Sequence, residues 1–416
     1  MYSFAQDLIE QDSQGFHVSR LGGALFSIGS LSVAVVQWLL VWMFARFAGG
    51  PEAVGEYALV LSVATPVFTF AQLGLRTVYL SLRANYPWRS YITLRMAGLL
   101  LAVLILVLYF QTSSTVGSAL WVAVLLSKVV TAYFDILQAR IQRHGRLIGL
   151  GALNLANSLG TIAFAASALL IFGTVSAAVF ASAMVSTAVA AGARRLSRQQ
   201  SSERVEEGNG IREILRAGLP TTVAEFLAAF ASYLPILVLS RIAGEALVGL
   251  FSAAAYLLTF ANLSGAIAKN ILITAFRRTL ADEGVRALLR RSHRVVWGVG
   301  LVGCCAAPFV ILLGDPVMRL VYGPGFGMSY GDLALLTVAL IPIAPSYIYS
   351  TTINVLERFS SQAWIWVMAL VLGLSTGVVC FFLGVSSIAI AFAVALAISW
   401  ARFLGAFWLA MRLARN

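Results

Sequence analysis

The chain is poor in charge. Asp, Glu, Lys and Arg make up 11% of its 416 residues, where a soluble domain carries about 25%. That leaves too few charges to cover a water-exposed surface, so a soluble globular protein is excluded. Lysine is nearly absent: Lys128 and Lys269 are the only two. Neither sits in a G-x-x-x-x-G-K-[ST] loop, so nucleotide hydrolysis by a P-loop is excluded. Three histidines, His17, His144 and His293, lie far apart and form no H-E-x-x-H. Cys304, Cys305 and Cys380 lie in apolar runs without metal or disulfide spacing. No Asp-x-Asp pair is present to hold a metal–sugar-nucleotide. No metal, cofactor or catalytic residue is expected, and the chain is not expected to be an enzyme.

What is present is apolar length. Hydrophobic residues make up 60% of the chain, with mean hydropathy +0.88. About twelve runs are long enough to cross a bilayer: 22–45, 57–80, 92–111, 118–138, 147–171, 173–193, 219–240, 247–275, 295–314, 332–355, 363–383 and 386–410. The expected fold is all-α and polytopic. The first nineteen residues are polar, and no cleavable signal is expected there.

The arginines crowd every second connection. Arg83, Arg89 and Arg95 form the first cluster, and Arg140, Arg143 and Arg146 the second. Further clusters occupy Arg194–Arg216 and Arg277–Arg294, while of the arginines only Arg46, Arg241 and Arg319 are assigned to the other side. This positive-inside pattern puts both termini in the cytoplasm. The net charge of +12 is thereby read as a topology signal and a match to anionic headgroups, with no nucleic acid implied.

The chain divides into two halves. Residues 194–212, RRLSRQQSSERVEEGNGIR, are polar and read as a cytoplasmic linker. A six-helix bundle over 1–193 precedes the linker, and another over 213–416 follows it. Arg46-Phe-Ala-Gly-Gly-Pro-Glu52-Ala-Val-Gly55 and Arg241-Ile-Ala-Gly-Glu245-Ala-Leu-Val-Gly249 share one order of residues at one topological place. Six spans separate them, so the halves repeat in parallel, as in many transporters.

Ionisable side chains inside a span cost about 2.5–3.5 kcal/mol at the helix centre and call for a reason. Lys128 and Asp135 share a helical face, as do Asn262 and Lys269, and Glu225 lies inside the seventh span. Polar stripes run through Ser27, Ser30 and Gln37; through Asn154, Asn157, Ser158 and Thr161; and through Tyr347, Ser350, Thr351 and Asn354. They argue for a water-accessible cavity. Ser and Thr stripes are more often helix–helix packing than substrate contacts, and Lys128 and Asp135 read alternatively as a mutually neutralising pair. Pro66, Pro235, Pro308, Pro342 and Pro345 are expected to bend their spans.

The strings ARFAGGPEAVGEYALV (45–60), FAQLGLRTVYL (70–80), LRAGLPTTVAEFLA (215–228), SRIAGEALVGLFSAAAYL (240–257) and VYGPGF (321–326) resemble the lipid-linked oligosaccharide flippases. These are the O-antigen and polysaccharide transporters of the multidrug/oligosaccharidyl-lipid/polysaccharide (MOP) exporter superfamily. The resemblance implies a plasma-membrane transporter that flips undecaprenyl-pyrophosphate-linked oligosaccharide by alternating access. It implies partnership with glycosyltransferases and a polysaccharide polymerase of the same pathway. Lys128, Lys269 and Arg76 are then the candidates to meet pyrophosphate, with Gln37, Asn154, Asn157, Asn262 and Asn354 as further cavity residues. Asp135 and Glu225 are the candidates to take up H⁺ or Na⁺. Two rival readings stand beside it: a multidrug or cation antiporter of the same superfamily, and a membrane-embedded polysaccharide polymerase or ligase.

Overall fold

A computed structural model describes residues 20–81, 86–113, 117–198, 210–356, 358 and 360–415. The N-terminal nineteen residues and most of the expected 194–212 linker lie outside the described residues. Those described form helices and no strand. They are α1 (Arg20–Phe47), α2 (Pro51–Ala71), α3 (Leu75–Ser81), α4 (Trp88–Ser113), α5 (Ser118–Arg143), α6 (Leu147–Phe172) and α7 (Val175–Arg198). After these come α8 (Ile211–Ile242), α9 (Glu245–Tyr322), α10 (Tyr330–Leu340), α11 (Ile343–Val355), α12 (Ser360–Phe382) and α13 (Ser387–Arg415).

Eleven helical stretches among the described residues are long and apolar enough to cross a membrane. One of them, α9, has 78 residues. At 1.5 Å per residue it would extend roughly 115 Å, far beyond an apolar core of about 30 Å. Gly284 resolves this: its φ of 81° and ψ of −178° leave helical space and divide α9 into two crossings. The expected eighth and ninth spans are thus joined by helix that runs up to this glycine on both sides. The protein is a multi-pass membrane protein.

Two spans expected to be continuous are broken. The second breaks at 72–74, where Leu73 and Gly74 adopt φ of 54° and 55°. Two glycines make room for this irregular backbone. A Cβ on Gly98 would lie 2.3 Å from the Ala71 carbonyl oxygen, and one on Gly218 2.5 Å from that of Leu73. The tenth breaks between α10 and α11, at Ile341 and Pro342. Pro66, Pro235 and Pro308 do not break theirs; they lie inside α2, α8 and α9.

The backbone forms two compact units. One comprises the described residues within Met1–Leu40, Ala71–Tyr109 and Val122–Gly218; the other comprises those within Val41–Phe70, Phe110–Trp121 and Leu219–Asn416. The first is packed around Leu75, Tyr79, Tyr91, Ile136 and Ile214, with a second cluster around Phe134, Ile141 and Leu150. The second unit is packed around Phe276, Leu288, Ile348 and Tyr349, and around Leu234, Ile390 and Val394.

Candidate functional site

The first unit holds a buried polar network. On α5, Asp135, Gln138 and Gln142 follow at spacings of three and four and share a face. Each Asp135 oxygen accepts from one arginine: Oδ1 from Arg76 Nη1 at 2.7 Å and Oδ2 from Arg95 Nη2 at 3.1 Å. Arg76 reaches this place because the break at 72–74 ends α2, and α3 restarts the helix one residue before it. Its guanidinium also donates to Gln138 Oε1 at 3.3 Å and Gln142 Oε1 at 3.1 Å. Gln138 Nε2 in turn donates to Asn154 Oδ1 of α6 at 3.1 Å. Arg95 is fully buried, while the Arg76 side chain keeps 31% exposure. Two guanidiniums thus meet one carboxylate, and the site is open on the Arg76 side.

Asp135 is the counter-ion of two arginines, and Lys128 has no ion-pair partner among the described residues. Lys128 stands two helical turns from Asp135 on α5, half-buried. Arg95, grouped with the loop arginines in the sequence, belongs instead to the buried interior of α4.

The second unit holds a cationic site of different character. Arg402 of α13 is 8% exposed. Its guanidinium lies 4.0 Å from the ring centre of Tyr347 (α11) and 4.7 Å from that of Trp366 (α12). Such cation–π pairs hold a desolvated cation by about 2 kcal/mol or more. Arg402 Nη1 donates to Asn262 Oδ1 at 3.2 Å, and the Tyr347 hydroxyl donates to the same oxygen at 3.3 Å. Asn262 is oriented by its own amide, which donates to the Leu258 carbonyl at 2.8 Å. Gly265 seats the Tyr347 ring; a Cβ there would lie 2.4 Å from Tyr347 Cδ2. Lys269, two turns beyond Asn262 on α9, adds a second positive charge within electrostatic range of Arg402. Neither cation has a carboxylate partner among the described residues.

The remaining candidates stand apart from these clusters. Asn157 accepts from Ser186 Oγ at 3.0 Å and ties α6 to α7. Asn354 bonds Gln362, which also donates to the Ser350 carbonyl at 3.3 Å, and so braces the α11–α12 corner. Gln37 and Glu225 are exposed. Among the described residues no His, Cys, Asp and Glu group has metal-holding geometry.

Arg402 and Trp366 escaped the sequence reading, although an arginine inside the apolar run 387–413 is itself a signal.

Residues 21–268 match the polysaccharide biosynthesis protein family. The capsular polysaccharide biosynthesis protein CapF of Staphylococcus aureus is 22% identical over 348 residues, covering 80% of this chain and 85% of that protein. Among solved structures, an inward-facing multidrug resistance MATE family transporter of the MOP superfamily superposes with a TM-score of 0.70. It shares 14% identity and covers 91% of this chain and 94% of its own. An outward-facing one reaches 0.64 at 13% identity, over 96% and 95% of the two chains. The Vibrio cholerae MATE transporter VcmN in its bent form reaches 0.58 at 18% identity, over 95% and 98%. The chain belongs to the polysaccharide biosynthesis protein family and has the fold of the MOP-superfamily transporters.

Proposed function

We propose that this protein is a transporter that flips an anionic, lipid-linked oligosaccharide from the inner to the outer leaflet of the bacterial plasma membrane. The cargo is undecaprenyl-pyrophosphate-linked glycan, and the movement is alternating access between two six-helix halves, 1–193 and 213–416, joined by the cytoplasmic linker 194–212. Both termini are cytoplasmic in this reading. Membership of a polysaccharide biosynthesis family supports the glycan, and the fold supports transport in place of catalysis.

The observation that carries the reading is positive charge inside the spans without a counter-charge: Lys128, Lys269 and Arg402 have no carboxylate partner among the described residues. Burying a cation without a counter-charge is costly, and an anionic cargo offsets that cost when it binds. An exporter of cationic drugs would need the opposite balance. Asp135 and Glu225 remain the groups proposed to exchange H⁺ or Na⁺, and the glycan would come from glycosyltransferases and pass to a polymerase.

Depletion of the protein in cells is expected to leave lipid-linked glycan on the inner leaflet, protected from a membrane-impermeant glycosidase added to spheroplasts. Unchanged outer-leaflet glycan after depletion contradicts the proposal.

A further inference from the structure

We propose that the Arg402 site is a carboxylate-accepting subsite that makes the transporter selective for glycans carrying an acidic sugar. This rests on the flippase reading above and deepens it.

The two cationic sites differ in the anion they suit. In the first unit the guanidiniums are already engaged by Asp135 and by the Gln138 and Gln142 amides. Lys128 is the cation left over there. An ammonium is a compact point charge on a flexible stem, which serves a phosphate of any orientation.

Arg402 is the reverse case. Its guanidinium is flanked by the Tyr347 and Trp366 rings, so it cannot swing. It presents its remaining donors edge-on, in one plane. Asn262 takes one of the guanidinium's five N–H donors. A fork of fixed orientation pairs bidentately with a carboxylate or a phosphate; with the pyrophosphate left to Lys128, the anion that remains for Arg402 is a carboxylate on the glycan. Asn262 accepts from both Arg402 and Tyr347, and the two rings flank the guanidinium, so these groups hold the fork in place for an incoming anion. Lys269 supplies added positive potential. A hexuronate supplies that carboxylate on the glycan.

The test uses the full-length protein in proteoliposomes and two fluorescent probes. Each is an undecaprenyl-pyrophosphate disaccharide, one ending in glucuronate and the other in glucose. The wild type is expected to flip the glucuronate probe roughly 10- to 100-fold faster, the range of a charge-assisted hydrogen bond. Arg402→Gln is expected to collapse this ratio toward one, and Arg402→Lys to leave an intermediate ratio. Lys128→Arg should lower both rates and keep the ratio. Equal wild-type rates for the two probes overturn the subsite. A loss of both probes by one factor in Arg402→Gln does so as well, because it assigns Arg402 to the shared pyrophosphate or to folding. These two outcomes leave the flippase reading standing. Failure of folded wild type to flip either probe sinks the flippase reading, and the subsite with it.

Discussion

Gly55 and Gly249 meet backbone to backbone. A Cβ on Gly55 would lie 1.9 Å from the Glu245 carbonyl oxygen, and one on Gly249 would lie 1.7 Å from that of Pro51. These are the glycines that end the two copies of the repeated R-[FI]-A-G…Glu-Ala…Gly string. The likeness between the halves is therefore a requirement of packing: α2 and the start of α9 cross where neither has room for a side chain. Nearby, Gly325 of the VYGPGF string packs on Pro51, and Arg46 Nε donates to the Val321 carbonyl at 2.8 Å. Three of the strings that carried the family resemblance converge here.

Gly55→Val and Gly249→Val are expected to lower the yield of folded protein sharply, since overpacking a close crossing costs about 1–3 kcal/mol or more. Gly298→Ala is the control. It meets open space, and alanine favours a helix over glycine by about 1 kcal/mol. Detergent-solubilised yield on size exclusion reads both. Abundant but inactive Gly55→Val protein would assign this glycine to transport itself.

Asp135→Ala should destabilise the first unit by about 3–5 kcal/mol, because it removes the carboxylate that bonds both Arg76 and the buried Arg95. Arg95→Met combined with Asp135→Asn should recover most of that loss. Thermal unfolding in detergent measures it. A double variant no more stable than Asp135→Ala alone would show that Asp135 does not serve as the counter-ion of Arg95.

Lys128→Ala is expected to abolish export at normal protein level, and Lys128→Arg to retain part of it. Adding Asp135→Ala should not restore function, because the Asp135 oxygens bind arginines and not Lys128. Polysaccharide export, scored beside immunoblot level, distinguishes these. Recovery in the double variant would return Lys128 to a structural role.

Cysteines placed at Glu283 and Ser386, with the native Cys304, Cys305 and Cys380 replaced by serine, should label from opposite sides. Ser386 is expected to react with an impermeant maleimide in whole cells, and Glu283 only after the membrane is opened. Equal labelling of both from outside would refute the arginine-based topology.

Helix number and the repeat were legible because apolar length and arginine placement are local properties of the chain. The break at 72–74 was not. L-G-L-R holds one glycine, and the left-handed backbone at Leu73 depends on clearance from Gly98 and Gly218, which are distant in sequence. Of the candidate residues, Arg76, Asp135 and Asn154 share one network and Asn262 and Lys269 share the other site. Charge inside an apolar run flagged Asp135 and Lys269. Arg402 carried that same flag, but its partners did not: Asn262 is 140 residues away. Only the packing of α9, α11, α12 and α13 brings a cation between two rings. Arg95 read as a loop residue because it lies within two turns of its helix start, where sequence does not separate a buried arginine from an interfacial one.

The central claim is that the cargo is an anionic lipid. Purified protein in proteoliposomes tests it most directly, by following in parallel a fluorescent undecaprenyl-pyrophosphate oligosaccharide and a cationic dye under imposed H⁺ and Na⁺ gradients. The account predicts protein-dependent movement of the lipid-linked glycan between leaflets, lost in Lys128→Ala, with no dye exchange. Gradient-driven dye exchange without movement of the glycan would contradict it and identify a cation antiporter.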